Sequence, residues 1–501
     1  MNLKNIHGQH SISRFTIVKI LKKLSPKEIT ELEKLLNSPF FNNHTTLIKL
    51  YRELKKYYPD FSDKKLTKKY LFEIINPGKK YDDKLFQKYL SLLNKLSEEY
   101  LSILELRNDV NDRELKVLYQ LSKRDLSDVY SRKLNEFENI LETKSKIDDV
   151  YYLSKHRLSE IKFYHKSRGN NAVSGKTDLT DSYNNLVNYF LAVSSSSLNQ
   201  VHSNQFSYSN TEPAILSGKL FERNELEKNL AEIIKNTSSN DKKSLLFLEL
   251  IQNDLRMYSG KKGLKAYRDQ KKIIFENSDA LSDTMLLYYL KRLNVYCIIE
   301  NSRGIYDMQK DLFENYKLIL EKKLFVLEGI PDLRILDYRV ILATAIKNNE
   351  LKWVEKFINE SVHLIKEESR ENIVNFGYAV LLFHKKNYSG SLDHISMINH
   401  ELFPITVDIY ILRVKIFYEM GFFDTAQSVA ESLRHFIKNN RVMSDIMRNS
   451  LRDFYKYFTA LQKMKKNQSE VKIVKLLSDV ESNNGTWNKS WLIEKLNELR
   501  N

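Results

Sequence analysis

Asn349-Glu350-Leu351-Lys352-Trp353-Val354-Glu355-Lys356, Lys386-Asn387-Tyr388-Ser389-Gly390-Ser391 and Met420-Gly421-Phe422-Phe423-Asp424-Thr425-Ala426 share one pattern. Trp353, Tyr388 and Phe423 lie 35 residues apart, each just after a polar or glycine turn and at the opening of a helical pattern. Three residues further on stand Lys356, Ser391 and Ala426. An aromatic side chain there wedges between the two helices of a hairpin, and a small residue lets them approach closely. A lone hairpin cannot cover its apolar face, so such units stack. The match is fullest around Phe423 and weakest around Trp353, where lysine replaces the small residue.

Helical hairpins are expected along most of the chain. Only 13 Gly and 7 Pro occur in 501 residues, about a third of the usual share, so few positions break a helix. Paired helical patterns cover 241–258 with 262–277, 282–300 with 304–325, 334–347 with 351–366, 372–385 with 388–399, and 406–420 with 423–438. A longer pattern follows at 441–466, then two short ones at about 469–481 and 488–500. The aromatic and small-residue spacing resembles the tetratricopeptide repeat, whose period is 34 residues. The resemblance implies an all-α fold in which a helical N-terminal domain precedes a tetratricopeptide-like α-solenoid of antiparallel hairpins. The repeat-packing residues would be Trp353, Tyr388, Phe423, Ser391 and Ala426. The alternative is a non-repeating helical bundle.

The first hundred residues carry clear helix punctuation. Ser25-Pro26-Lys27-Glu28 is a capping box with proline at the first helical position, and the helix it opens stops before Ser38-Pro39. Further helices are expected at about 45–58, 67–75 and 83–106, the last with an apolar stripe of more than six turns. Leu24-Ser25-Pro26-Lys27-Glu28, Ser38-Pro39-Phe40-Phe41-Asn42, Tyr58-Pro59-Asp60-Phe61 and Asn76-Pro77-Gly78-Lys79 resemble an uncharacterised family of bacterial helical proteins of about this length. That resemblance implies a bacterial cytosolic origin and no chemistry. The expected organisation is a basic helical domain at 1–108, an irregular helical region at 109–223, the repeat region at 224–466 and a helical tail at 467–501. Within the irregular region, 167–181 and 194–213 have loop composition.

Net charge is +16. The first 107 residues hold 21 Lys/Arg against 12 Asp/Glu, so more than half of the excess lies in about a fifth of the chain. Lys64, Lys65, Lys68, Lys69, Lys79 and Lys80 bracket the short helix expected at 67–75, a candidate contact for nucleic acid or another polyanion. The alternative is compositional, because Lys, Asn and Ile are plentiful throughout, as an AT-rich genome would produce.

Other chemistry is sparse. Gly169-Asn170-Asn171-Ala172-Val173-Ser174-Gly175-Lys176-Thr177 has five residues between its glycines where a phosphate loop needs four, and it follows a helical pattern rather than a strand. Cys297, the single cysteine, lies in the apolar run Val295-Tyr296-Cys297-Ile298-Ile299 and reads as a buried thiol. His384, His394, His400 and His435 have no metal-ligand spacing. Asp82-Asp83 suits a helix start; Glu98-Glu99 and Asp148-Asp149 read likewise as helix starts or exposed faces. No apolar segment suits a signal peptide or a membrane span, so a cytoplasmic protein without cofactor, metal or catalytic residues is expected. The favoured role is a non-enzymatic scaffold whose concave face binds a protein or peptide. The alternative is a nucleic-acid- or ribosome-associated factor acting through the basic domain.

Overall fold

The computed structural model describes residues 15–63, 65–168, 175–207, 224–237, 239–257, 263–303, 306–325, 333–399, 403–440, 443, 445–466, 470–483 and 485–500. Among them the protein is all-α, with twenty-three α-helices and no strand. The chain divides into two compact units, residues 1–139 with 160–175, and 140–159 with 176–501. The boundary expected at 108 falls within the first unit, and those at 223 and 466 fall within the second.

The first unit contains α1 (Thr16–Leu21), α2 (Pro26–Asn37), α3 (Thr45–Lys55), α4 (Lys68–Ile75), α5 (Asp83–Asn108) and α6 (Val110–Lys123); α7 (Ser127–Thr143) and α8 (Asp149–Arg168) contribute residues to both units. The capping box is present: Ser25 N donates to Glu28 Oε2 at 2.7 Å and Glu28 N donates to Ser25 Oγ at 3.3 Å. Thr67, Asp82 and Asp109 cap α4, α5 and α6 through the side chain alone, each supplying an acceptor to an otherwise unpaired N–H of the first turn. Long α5 is the spine of this unit. It packs against α1, α2, α3 and α6, and Leu32, Leu36, Leu50, Leu54, Phe72, Phe86 and Leu93 are all buried in one core. Tyr51 lies inside that core and donates its hydroxyl to the Ile29 carbonyl at 2.5 Å.

The second unit continues with α9 (Lys176–Ser207), α10 (Asn224–Asn236), α11 (Lys242–Met257), α12 (Gly263–Glu276), α13 (Asp283–Arg303), α14 (Gln309–Glu321), α15 (Ile335–Lys347), α16 (Leu351–Glu360), α17 (Glu367–His384), α18 (Tyr388–Ser396), α19 (Phe403–Glu419), α20 (Phe423–Asn439), α21 (Asp445–Lys466), α22 (Glu470–Ser482) and α23 (Lys489–Arg500). From α10 onward most consecutive helices are neighbours. The expected pairs are therefore present, with bounds shifted by a few residues. The loops expected at 167–181 and 194–213 are corrected within the described residues: 167–168 end α8, while 176–181 and 194–207 belong to α9; 169–174 and 208–213 lie outside the described residues. No glycine or proline interrupts 176–207, serine costs only about 0.5 kcal/mol relative to alanine in a helix, and a helix already nucleated at 183–193 gains a hydrogen bond with each added residue.

Three hairpins close with the same turn. Asn349, Lys386 and Gly421 adopt left-handed backbone, with φ of 58°, 59° and 82°. In each the next residue donates its N–H five residues back, Glu350 to Ala345 O, Asn387 to Leu382 O and Phe422 to Phe417 O. This pattern satisfies the last carbonyls of the first helix. Asp125 and Lys323 end α6 and α14 by the same turn. The first helices also meet one another: α15 contacts α17 and α19, and α17 contacts α19. Arg339 of α15 pairs through two nitrogens with the Asp408 carboxylate of α19, its Nη2 at 3.0 Å from Oδ1. Gly377 of α17 permits the close approach to α15 and α16, since a methyl there would collide with the Tyr338 hydroxyl and the Ile358 side chain.

Left-handed backbone costs an ordinary L-residue about 1 kcal/mol relative to glycine. Gly421→Ala, whose new methyl meets no neighbour, is therefore expected to lower stability by about 1 kcal/mol. Lys386→Gly is expected to raise it by a few tenths to about 1 kcal/mol, the gain reduced by the added freedom of the unfolded chain. Chemical denaturation of the two variants beside the parent reads both signs. Shifts in the same direction would contradict the turn geometry.

Candidate functional site

The turns correct the repeat register. Superposing the left-handed residues 349, 386 and 421 aligns Leu351, rather than Trp353, with Tyr388 and Phe423 as the first residue of the second helix. Three residues on stand Val354, Ser391 and Ala426, all fully buried. Lys356, which broke the pattern in the sequence, is exposed. Tyr388 and Phe423 do occupy related places: each packs against an aromatic five residues before it, Phe383 at 5.7 Å and Tyr418 at 5.4 Å between ring centroids. Trp353 instead stacks on Phe357 and meets Phe313 of α14 edge-on. Ser391 donates its hydroxyl to the Ala379 carbonyl at 2.6 Å, which resolves the polar atom of a buried small residue.

The first helices α15, α17 and α19 touch one another, and the Arg339–Asp408 pair joins α15 to α19. The C-terminal hairpin adds to these contacts. Trp491 Nε1 donates to Glu419 Oε1 at 2.8 Å, and Lys495 Nζ sits 2.9 Å from the same oxygen. Lys415 Nζ lies 4.6 Å from the centre of the Phe383 ring and 3.4 Å from Asn488 Oδ1. Burial pushes the Lys415 ammonium down to about 8, with Lys495 adding to that shift and Glu419 and Glu494 opposing it. Burial also pulls on Lys495, but the hydrogen bonds it donates to Glu498, Glu494 and Glu419 hold it above its ordinary value.

The basic set divides. Lys64 lies outside the described residues. Lys68 Nζ is 3.2 Å from Asp83 Oδ1, and Lys69 is paired more loosely with Glu73 at 3.9 Å. Lys65, Lys79 and Lys80 are exposed. Residues 169–174 of the glycine-rich stretch are likewise outside the described residues, and Lys176 and Thr177 open α9. Cys297 is fully buried, 3.2 Å from the Tyr267 hydroxyl, and burial pushes its thiol up to about 12. A thiol held there is not a nucleophile near neutral pH. Among the described residues no group of three His, Cys, Asp or Glu is placed to hold a metal, and no helix is long and apolar enough to cross a membrane.

Helix α9 carries a feature that sequence reading missed. Its amphipathic sense is inverted over 178–190. Leu179, Tyr183, Leu186 and Phe190 share one face and are 42–68% exposed, whereas Asp178, Ser182, Asn185 and Asn188 point inward at 3–9%. Two of the inward polar groups have clear partners: Ser182 Oγ lies 2.9 Å from His156 Nδ1, and Asn185 Nδ2 donates to the Asp181 carbonyl at 2.7 Å. The outward spacing of four, three and four residues is a heptad seam. Leu186, Val187, Tyr189, Phe190 and Val193 also line a shallow apolar hollow on this helix. The seam was legible in the sequence, but its direction was not, because an amphipathic helix is ordinarily assigned with its apolar face inward.

No family model matches the chain, and neither does a curated protein or a solved structure.

Two outcomes follow from the Glu419 cluster. Glu419→Ala removes an acceptor shared by Trp491 and the buried Lys495 and is expected to cost about 2 kcal/mol, read by denaturant titration. The lowered Lys415 value means that the folded chain binds fewer protons than the unfolded chain between pH 8 and the ordinary lysine range. Stability contributed here therefore rises with pH across that window. Lys415→Met should remove about 1–2 kcal/mol of the increase between pH 8 and 9.5. Identical pH profiles for the parent and Lys415→Met would contradict the assignment.

Proposed function

We propose that this chain is a tetratricopeptide-like helical-repeat scaffold, rather than an enzyme, and that it docks an amphipathic helix of a partner protein on the exposed seam of α9. The inverted orientation of α9 carries the reading. Burying Asp178, Ser182, Asn185 and Asn188 while Leu179, Tyr183, Leu186 and Phe190 face outward leaves apolar surface in water, at roughly 25 cal/mol for each Å². A partner helix covering that seam recovers this free energy, by the helix-in-groove mode in which residues at heptad spacing act as anchors. Further support comes from the repeated turns at 349, 386 and 421, which fit stacked hairpins of 35 to 37 residues. The docking face is then on α9 rather than on the concave face expected from the sequence.

A photo-crosslinking residue placed at Tyr183 of the full chain, expressed in its native cytosol, tests the reading. A saturable polypeptide adduct is expected at 183 and not at Tyr306, another exposed aromatic position of the same unit. Leu179→Lys with Leu186→Lys should weaken capture by tenfold or more, with the helical circular dichroism unchanged. An adduct of twice the chain mass would identify the partner as a second copy. Equal labelling at both positions, or capture that survives the double lysine variant, would overturn the proposal.

A further inference from the structure

We infer that the first unit carries a separate binding surface for the phosphate backbone of nucleic acid, built on the N-terminal half of α5 and the turn that leads into it. The inference does not rest on the α9 docking face.

Between residues 65 and 95 there are eight lysines and three acids. The structure accounts for all three acids. Asp83 accepts from Lys68 Nζ at 3.2 Å and from the Tyr81 hydroxyl at 2.5 Å. Glu73 takes Lys69. Asp82 caps α5 by accepting from Leu85 N at 3.1 Å. Lys65, Lys79, Lys80, Lys84, Lys88 and Lys95 are exposed, and among the described residues none of them has a carboxylate within ion-pair distance. The charge excess read from the sequence is thus concentrated here, on a set that differs from the six lysines first singled out: Lys68 and Lys69 are paired and leave it, and Lys84, Lys88 and Lys95 join it.

Geometry makes these six one surface. Lys84, Lys88 and Lys95 fall at i, i+4 and i+11 on α5, along a single face, and at 1.5 Å per residue they span about 16 Å. Ser91 fills the intermediate position of that stripe and is also exposed. The Lys68–Asp83 pair ties the start of α4 to the start of α5, which brings Lys65, Lys79 and Lys80 to the end of the stripe. Exposed lysines at this spacing repel one another, and a polyanion of regular charge relieves that repulsion by replacing the condensed counterions. Lysine ammoniums act as point charges, with no fork geometry for reading base edges. The occupant that fits is therefore a sugar–phosphate backbone bound without sequence preference.

The test is a fluorescence-anisotropy titration of the full chain against a labelled 20-base-pair duplex DNA and a labelled 20-nucleotide RNA, from 50 to 300 mM salt. Binding to at least one probe that weakens steeply with salt is expected. A quadruple variant, Lys79→Gln, Lys80→Gln, Lys84→Gln and Lys88→Gln, should lose at least tenfold in affinity at 50 mM salt. Its slope of log affinity against log salt should be shallower by about 3.6 on the duplex. The matched control is Lys22→Gln, Lys23→Gln, Lys27→Gln and Lys34→Gln, which removes the same charge from other exposed positions of this unit and should bind like the parent. No binding at 50 mM salt, or equal losses in both variants, overturns the inference. So does displacement of the probe by poly-L-glutamate as potent as by unlabelled nucleic acid at equal charge.

Discussion

A two-helix hairpin can hide only the apolar strip between its own helices, and its outer strips stay wet until a neighbour covers them. Most of the second unit is arranged around that constraint. On α20, Ala426, Ala430, Leu433 and Ile437 form the buried stripe, and they share one core with Val407, Ile411, Val414 and Tyr418 of α19 and with Leu451, Phe454, Phe458 and Leu461 of α21. The α22–α23 hairpin ends the run by adding Ile473, Leu477, Val480, Leu492 and Leu496 to the same core. Small residues sit where helices come closest, because backbone approach is limited by the side chain at the crossing. Ser391 and Ala426 are fully buried, and Gly377 has no room for a methyl.

Polar interactions add position more than net stability. Arg339 and Asp408 join two first helices that are not consecutive, and both side chains are about four-fifths buried. Removing two ions from water offsets most of their attraction, but the paired geometry is satisfied in only one register of α15 against α19. The Arg292–Asp254 pair, at 2.8 Å, does the same between α13 and α11. Glu419 differs in kind: it holds an indole and an ammonium from α23 at once, so the last helix is fixed by direction as well as by burial.

Much of this architecture was legible because its signals are local. Ser25 caps α2 where the capping box was read, Asp82 stands at the expected helix start, and the helix ends near Pro39 and Gly421 follow from backbone chemistry at single residues. What was not legible depends on partners distant in sequence. Helix α1 was overlooked because Thr16-Ile17-Val18 is a β-branched run of low helix propensity, and it is held as a helix by packing on α5. The repeat register was misread by two residues around Trp353 because a large aromatic was taken to mark the turn. The turn is in fact marked by left-handed Asn349, and asparagine tolerates that conformation well enough to replace glycine. Which lysines of the basic stretch are paired likewise depends on where Asp83 and Glu73 lie in space, which local sequence does not show.

The two surfaces differ in the physics that would load them. Leu179, Tyr183, Leu186 and Phe190 offer apolar area, and association through apolar area is strengthened by excluded salts such as sulfate. Lys79, Lys80, Lys84 and Lys88 offer unpaired charge, whose attraction is screened over about 8 Å at physiological ionic strength. Neither surface is explained by the stability of its own unit. Turning α9 over would bury its seam, and interspersed acids would quiet the α5 stripe, as Asp83 and Glu73 already do for Lys68 and Lys69. A sequence shaped only by folding would take both improvements, because each lowers the free energy of the isolated chain. That neither was taken is the physical reason for reading both as surfaces shaped by something outside the chain.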